Sequence, residues 1–218
     1  MGSRATAEDR RRVRPRIFRL ALLGVGAMAS PRYAPAGLLV EYGSSRVMLD
    51  GGPGAVPDGR LDAWLVTDER AELIAGIRAL GRARGVEPAV ARFKRTGLDI
   101  RPRKVVHTSH ATYGYLIVAE GRIIVWAPEF LIFPSWARGV DLMFADAAGW
   151  KRPILFAGGV GGHAAALDVA DQARKRHVGR FVFAHIGRPT IRAIDAGEHP
   201  PFGEFGSDAA LYYPRRLN

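Results

Sequence analysis

The stretch GLLVEYGSSRVMLDGGPG, Gly37 to Gly54, limits the folds open to this chain more than any other. Two apolar runs of strand length flank Gly43-Ser44-Ser45, residues suited to a tight turn, so the segment predicts a β-hairpin. A second hairpin is written in YGYLIVAEGRIIVWAPEF, Tyr113 to Phe130, turning at Glu120-Gly121. Single strands are predicted at RIFRLALLGVGA (Arg16 to Ala27), LDAWLVT (Leu61 to Thr67), VDLMFADAA, GRFVFAHIG and ALYYP, with a weaker candidate in AVARFK. Helical spacing of Leu73, Ile74, Ile77 and Leu80 predicts a helix from Glu69 towards Gly85, and GHAAALDVADQARKRH predicts an amphipathic one. The stretch from Arg188 onward is rich in Gly and Pro and predicts loop. Hairpins followed by two strand–helix alternations require both antiparallel and parallel pairing. The fold class is therefore mixed α/β, and a simple doubly wound sheet is excluded.

Nothing in the chain marks a linker or an internal repeat beyond the two hairpins. With 218 residues, 48% of them hydrophobic, the expectation is one domain over residues 16–218 preceded by a basic, disordered tail at 1–15. The longest apolar run, Leu20 to Ala29, is interrupted by Gly24 and Gly26 and falls short of the ~18–20 residues a membrane span needs. It runs on into strand patterns with no cleavage site, so the chain is read as soluble and cytoplasmic. Cysteine is absent, which removes both a disulfide framework and a thiolate metal site.

The formal net charge of +11 raises nucleic acid or an anionic small molecule as a partner. Arg4, Arg10, Arg11, Arg12, Arg14, Arg16 and Arg19 concentrate part of it near the start. The competing explanation is an arginine-rich composition in which Arg takes the place of Lys on solvated faces, since Lys occurs only at 94, 104, 151 and 175.

The chemistry motifs are mostly negative. Gly24-Val25-Gly26 lacks the third glycine of a dinucleotide fingerprint, and Ser30-Pro31 follows where a helix should begin. Neither a Walker pattern nor a G-x-S-x-G elbow is present. Histidines are the positive signal: His107 and His110 precede a strand, His163 precedes a helix, and His185 ends the strand FVFAHIG. Carboxylates at comparable places, Asp68, Glu72, Glu129 and Asp146, complete a nitrogen and oxygen donor set suited to Zn²⁺, Mn²⁺ or Fe²⁺. At the junction TDERAEL (Thr67 to Leu73), the same acids also suit a helix start, with Asp68 as N-cap and Glu69 and Glu72 near the positive dipole end.

From Arg16 onward the order of segments resembles the metallo-β-lactamase superfamily, in particular its ribonuclease Z and phosphodiesterase branch. Leu22-Leu23-Gly24-Val25-Gly26-Ala27 is similar to that branch's LLGTGS turn, and AGLLVEYGSSRVMLDGGPG to its SGLLVEYGGRRLLLDCGPG, which puts Asp50 on a structural aspartate. HTSHATYGYLIVAEGRIIVWAPEF, VDLMFADAA and GHAAALDVADQARKRHVGRFVFAHI resemble later segments in the same order. The resemblance implies an αβ/βα sandwich of two mixed sheets flanked by helices. It also implies a divalent metal (Zn or Mn), hydrolysis of a phosphodiester or other ester, and a homodimer.

The metal motif is where the chain departs. The pattern T-H-x-H-x-D-H falls on Thr67 to Leu73, so Asp68 and Arg70 replace two histidines, Glu72 replaces the aspartate and Leu73 the last histidine. By resemblance Glu129 stands at the bridging aspartate, His185 at the last ligand, and His163 at the histidine that assists proton transfer. His107 or His110 supplies the remaining ligand. The expected metal set is thus Asp68, Glu72, His107, His110, Glu129 and His185, and the expected catalytic groups are Asp68, Glu72 and His163. Alternatively no metal binds, and Arg70 pairs with Glu72 or Glu129 in its place. Two functions compete: a divergent hydrolase with an altered or reduced metal site, and an inactive fold that binds an anionic ligand, nucleic acid or protein partner. Processing of tRNA 3′ ends is disfavoured, because the motif is broken and no long arm lies between Ile77 and His107.

Overall fold

The computed structural model describes residues 17–214, so the basic tail at 1–15 lies outside the described residues. Its strands are β1 (Phe18–Gly24), β2 (Gly37–Tyr42), β3 (Ser45–Asp50), β4 (Ala63–Leu65), β5 (Phe93–Arg95), β6 (Leu98–Val105) and β7 (Thr112–Ala119). They continue with β8 (Arg122–Ala127), β9 (Leu142–Ala147), β10 (Ile154–Leu155), β11 (Gly162–His163), β12 (Arg180–Ile186), β13 (Glu204–Phe205) and β14 (Leu211–Tyr212). The helices are α1 (Ile74–Arg82), α2 (Ala166–Lys175) and α3 (Arg188–Asp195).

Two large mixed sheets result, and β10 and β11 pair antiparallel in a separate two-stranded one. The first runs β14-β1-β2-β3-β4 and the second β13-β12-β9-β8-β7-β6-β5. Both predicted hairpins are present: β2 pairs antiparallel with β3 from Gly37↔Asp50 to Tyr42↔Ser45, and β7 with β8 from Tyr115↔Trp126 to Ala119↔Arg122. The second closes on Glu120 and Gly121 at φ 52° and 74°, the pair of left-handed residues that a two-residue turn with the twist of its strands requires. Parallel pairs β3·β4, β8·β9 and β9·β12 supply the α/β half.

Alternation along the strands explains the layering. In β2, Leu38 and Val40 enter the core between the sheets, while Leu39 points the other way and packs with Met48, Trp64 and Ile77 beneath α1. The inter-sheet core holds Leu20, Leu22 and Leu49 against Ile117, Ile124, Trp126, Phe144 and Phe183, all fully buried. Each such side chain contributes roughly 1.5–3 kcal/mol. The apolar face of α2 covers β9 and β12.

Three expectations fail locally. Helix α1 begins at Ile74 and not at Glu69, with no acidic residue in its first turn and no side-chain cap. Asp68 is not its N-cap: its Oδ1 accepts the Arg70 N–H at 2.7 Å, closing a turn before the helix. Strand β6 was masked in the sequence by Pro102 and its charges, yet it pairs along its length with β7. The stretch from Arg188 contains α3, which Pro189 in its first turn initiates where a loop was expected.

Candidate functional site

The polar residues of interest come from the carboxyl ends of strands. Thr67 and Asp68 follow β4, His107 follows β6, Glu129 follows β8, and Asp146 and His185 lie near the ends of β9 and β12. Asp50, at the end of β3, anchors them from below. Its Oδ1 accepts the Thr67 N–H at 2.7 Å and the Thr67 hydroxyl at 2.9 Å, and its Oδ2 accepts the Trp126 indole N–H at 2.7 Å. Burial pushes the Asp50 carboxyl up to about 7, against the pull of those donors. Asp50 and His185 both hold left-handed backbone, at φ 50° and 60°, strain that persists where surrounding contacts over-determine it.

Glu129 is the meeting point. His185 Nε2 lies 3.2 Å from one of its oxygens and His107 Nε2 3.8 Å from the other. His107 donates from Nδ1 to the Gly162 carbonyl at 3.0 Å, so its Nε2 lone pair is turned to the carboxyl group. That contact needs glycine at 161, where a Cβ would sit 2.1 Å from the His107 carbonyl oxygen. Desolvation raises the Glu129 pKa, opposed by His107 and His163. Burial pushes His185 down to about 4.

His163 is oriented from behind. Its Nδ1–H donates to Asp146 Oδ2 at 2.8 Å, and Asp146 is fully buried, also accepting the N–H groups of Phe130 at 3.0 Å and Ala148 at 2.8 Å. Burial alone would lower the His163 pKa. The charge and hydrogen bond of Asp146 outweigh it, and the net shift is upward. The His163 ring stacks on His185 at 5.2 Å and stands 4.7 Å from His107, with Phe156 closing the cluster. Neither the Asp146 partnership nor Phe156 was singled out from sequence, although Asp146 sat visibly at a strand end.

A cavity of about 60 Å³ opens onto this group, with Met28, Leu73, Ile77 and Pro128 as its apolar wall and Asp50, Glu129 and His185 as its polar side. Glu72 reaches its rim. The remaining expected residues go elsewhere. Asp68 is buried, and both its oxygens lie 2.8–2.9 Å from His110 Nε2. Asp68, His110 and Arg70 surround a separate depression with Glu69 and Tyr113. Arg70 is exposed and forms no ion pair with Glu72 or Glu129, because the turn at Asp68 directs it to that second depression. Of the two candidate histidines, His107 faces Glu129 and His110 does not.

No protein-family model and no curated protein match the sequence. Solved structures do match over most of the chain. A metallo-β-lactamase fold protein, YhfI from Bacillus subtilis, superposes with a TM-score of 0.69 at 14% identity, covering 90% of this chain and 99% of the other. A diphosphatase from the PhnP family gives 0.68 at 19% identity, covering 89% and 96%. Zn²⁺-bound PqqB from Methylobacterium extorquens gives 0.62 at 14% identity, covering 89% and 99%. This chain has the metallo-β-lactamase fold.

On that fold the first motif does not fit a metal. Asp68 is committed to His110 and to a backbone N–H, Leu73 is apolar, and Arg70 has turned away. Among the described residues no group of three or more His, Asp or Glu is placed to hold an ion. The donors still directed at one another are His107, Glu129 and His185, with the Glu129 carboxyl between the two imidazoles.

Proposed function

We propose that this chain is a divergent hydrolase that cleaves a phosphodiester or other ester at the Glu129–His163–His185 end of the cavity, with a reduced metal requirement. The observation that carries this reading is the buried Asp146–His163 pair beside Glu129 and two further imidazoles. Asp146 fixes the His163 tautomer with the proton on Nδ1, so Nε2 is the atom that exchanges protons. Glu129, its pKa raised by burial, is a stronger base than an exposed carboxylate and is suited to take a proton from an attacking water. His163, its pKa raised by Asp146, is suited to return one to the leaving oxygen. Were one Zn²⁺ or Mn²⁺ drawn in, His107, Glu129 and His185 would be the side chains to hold it, and it would supply charge neutralisation and an acidified water in place of Glu129 as base. The anionic substrate class follows the fold's diphosphatase neighbour and remains part of the proposal.

The test is turnover of bis-p-nitrophenyl phosphate and p-nitrophenyl acetate by the purified chain, metal-free and loaded with Zn²⁺ or Mn²⁺. His163→Ala should lower the rate by about 10²–10⁴-fold while the melting temperature stays near that of the parent. No turnover above buffer in any loading state, from folded protein, rejects the enzyme. The second reading, a ligand-binding fold without hydrolysis, is favoured by the loss of the first motif to the Asp68–His110 pair.

A further inference from the structure

Away from the cavity, the outer face of the seven-stranded sheet carries a row of cations with aromatic rings set between them. Arg101 and Arg103 occupy alternate positions of β6, both exposed, so both leave the same face. Arg103 is in register with Gly114 of β7, and the Trp136 indole lies over that glycine, within 3.1 Å of where a Cβ would stand. Trp136 Nε1–H donates to the Lys104 carbonyl at 3.0 Å, which pins the ring across the sheet, and the Arg103 guanidinium sits 5.9 Å from its centroid. Arg138 follows two residues later and is exposed. Beside it, the Gly139 N–H donates at 2.9 Å to the carbonyl of Arg176, whose guanidinium stands 5.3 Å from the Phe133 ring. The row is therefore continuous from Arg101 to Arg176.

Its charge is cancelled only at one end. Asp99 pairs with Arg92 at 2.8 Å and with Arg101 at 4.0 Å, and Asp141 beside the row holds Arg122. Among the described residues Arg103, Arg138 and Arg176 make no ion pair with a carboxylate, and the guanidiniums of Arg103 and Arg176 stand over rings. Fixed guanidiniums are the groups best matched to phosphate, and an aromatic ring held among them is the composition of a surface that tracks a phosphate backbone while offering bases a stacking face. The row takes from helices only Trp136 of a single 3-10 turn and Arg176 at the C-terminal end of α2, and otherwise lies on β6 and a loop, so it presents no helix of the length that enters a duplex groove.

We infer that this row, Arg101, Arg103, Trp136, Arg138 and Arg176, is a docking surface for single-stranded nucleic acid. It shares no residue with the cavity and stands independently of the hydrolase reading.

The experiment is fluorescence anisotropy of a labelled oligothymidylate titrated with the full chain across a salt series. The triple variant Arg101→Gln, Arg103→Gln, Arg138→Gln should weaken binding by roughly a hundredfold at 0.1 M salt and lower the log–log salt slope by about 2. Arg78→Gln, Arg82→Gln, Arg84→Gln on and beside α1 removes the same charge elsewhere and should leave the slope within about a quarter of that change. Trp136→Leu, checked for folding by its melting curve, should weaken binding by several-fold without altering the slope, since stacking releases no counterions. The inference fails if both triple variants lose equally, or if the parent does not bind. It also fails if Arg10→Gln, Arg11→Gln, Arg12→Gln, Arg14→Gln removes the slope that the sheet variant keeps. Equal competition by polyglutamate would assign the surface to acidic proteins and overturn it too.

Discussion

Two histidine–carboxylate pairs of identical length stand in this molecule, and their surroundings set them apart. His110 and Asp68 meet at 2.8 Å, as do His163 and Asp146. In the first, the His110 side chain is 26% exposed, and the pair opens on a depression shared with Arg70 and Glu69. In the second, Asp146 is wholly buried with two backbone donors, and His163 is enclosed by His107, His185 and Phe156. The first pair latches the turn between β4 and α1. The second places a proton-bearing imidazole next to Glu129. On the proposed reading the same two functional groups serve as a structural latch at one strand end and as a proton-handling device at the other, and burial decides which.

The comparison is sharpest at the carboxylates. Asp146→Ala removes the acceptor of three buried donors, each of which costs about 1–3 kcal/mol when unpaired, so a loss of roughly 3–5 kcal/mol in urea unfolding is expected. Turnover should fall with it, because His163 loses its fixed tautomer. Asp146→Asn retains one acceptor oxygen for three donors, and its loss should be intermediate. A loss from Asp146→Ala no greater than that from a surface substitution would show that the buried pair holds nothing in place.

Asp68→Ala is expected to cost less, about 1–2 kcal/mol, since His110 and the Arg70 N–H regain water on its removal. Activity per folded molecule should stay within about threefold of the parent. A drop on the scale of His163→Ala would erase the distinction between latch and proton-handling pair and return Asp68 to the catalytic set.

How much of this was legible in the sequence follows the same division. The hairpins, β9, α2 and β12 were readable because alternation, Glu120-Gly121 and the helical period are local signals. The start of α1 was not, because acids at a strand end satisfy the rules for a helix cap and for a turn equally well. Only the contact with His110, 42 residues away, decides between them. Strand β6 was hidden by Pro102 and its arginines, whose placement depends on the open outer face of the sheet. Within the site, His107, Glu129, His163 and His185 were all named in advance. That Asp146 orients His163, and that Arg70 leaves the cavity, are consequences of packing between distant strands that no spacing records.

The smallest expected effect per unit change concerns pH, and it again sets the two regions against each other. Asp50, which anchors Thr67 ahead of the latch, has its pKa raised by burial from 3.8 to about 7. Its folded form holds a proton more tightly than the unfolded chain, so its contribution to stability is complete below 3.8 and is lost as pH rises through about 7. His185, in the second region, has its pKa lowered by burial from 6.5 to about 4, so its contribution is present above 6.5 and is lost as pH falls towards about 4. Between roughly pH 4 and 6.5 the two slopes oppose each other, each about 1.4 kcal/mol per pH unit. Removing either group should expose the other. His185→Gln should make stability fall as pH rises across this window relative to the parent, and Asp50→Asn should make it rise. Urea midpoints for the three proteins at matched pH values read the sign directly. Variants that shift the slope in the same direction would mean that the buried acid and the buried base do not balance.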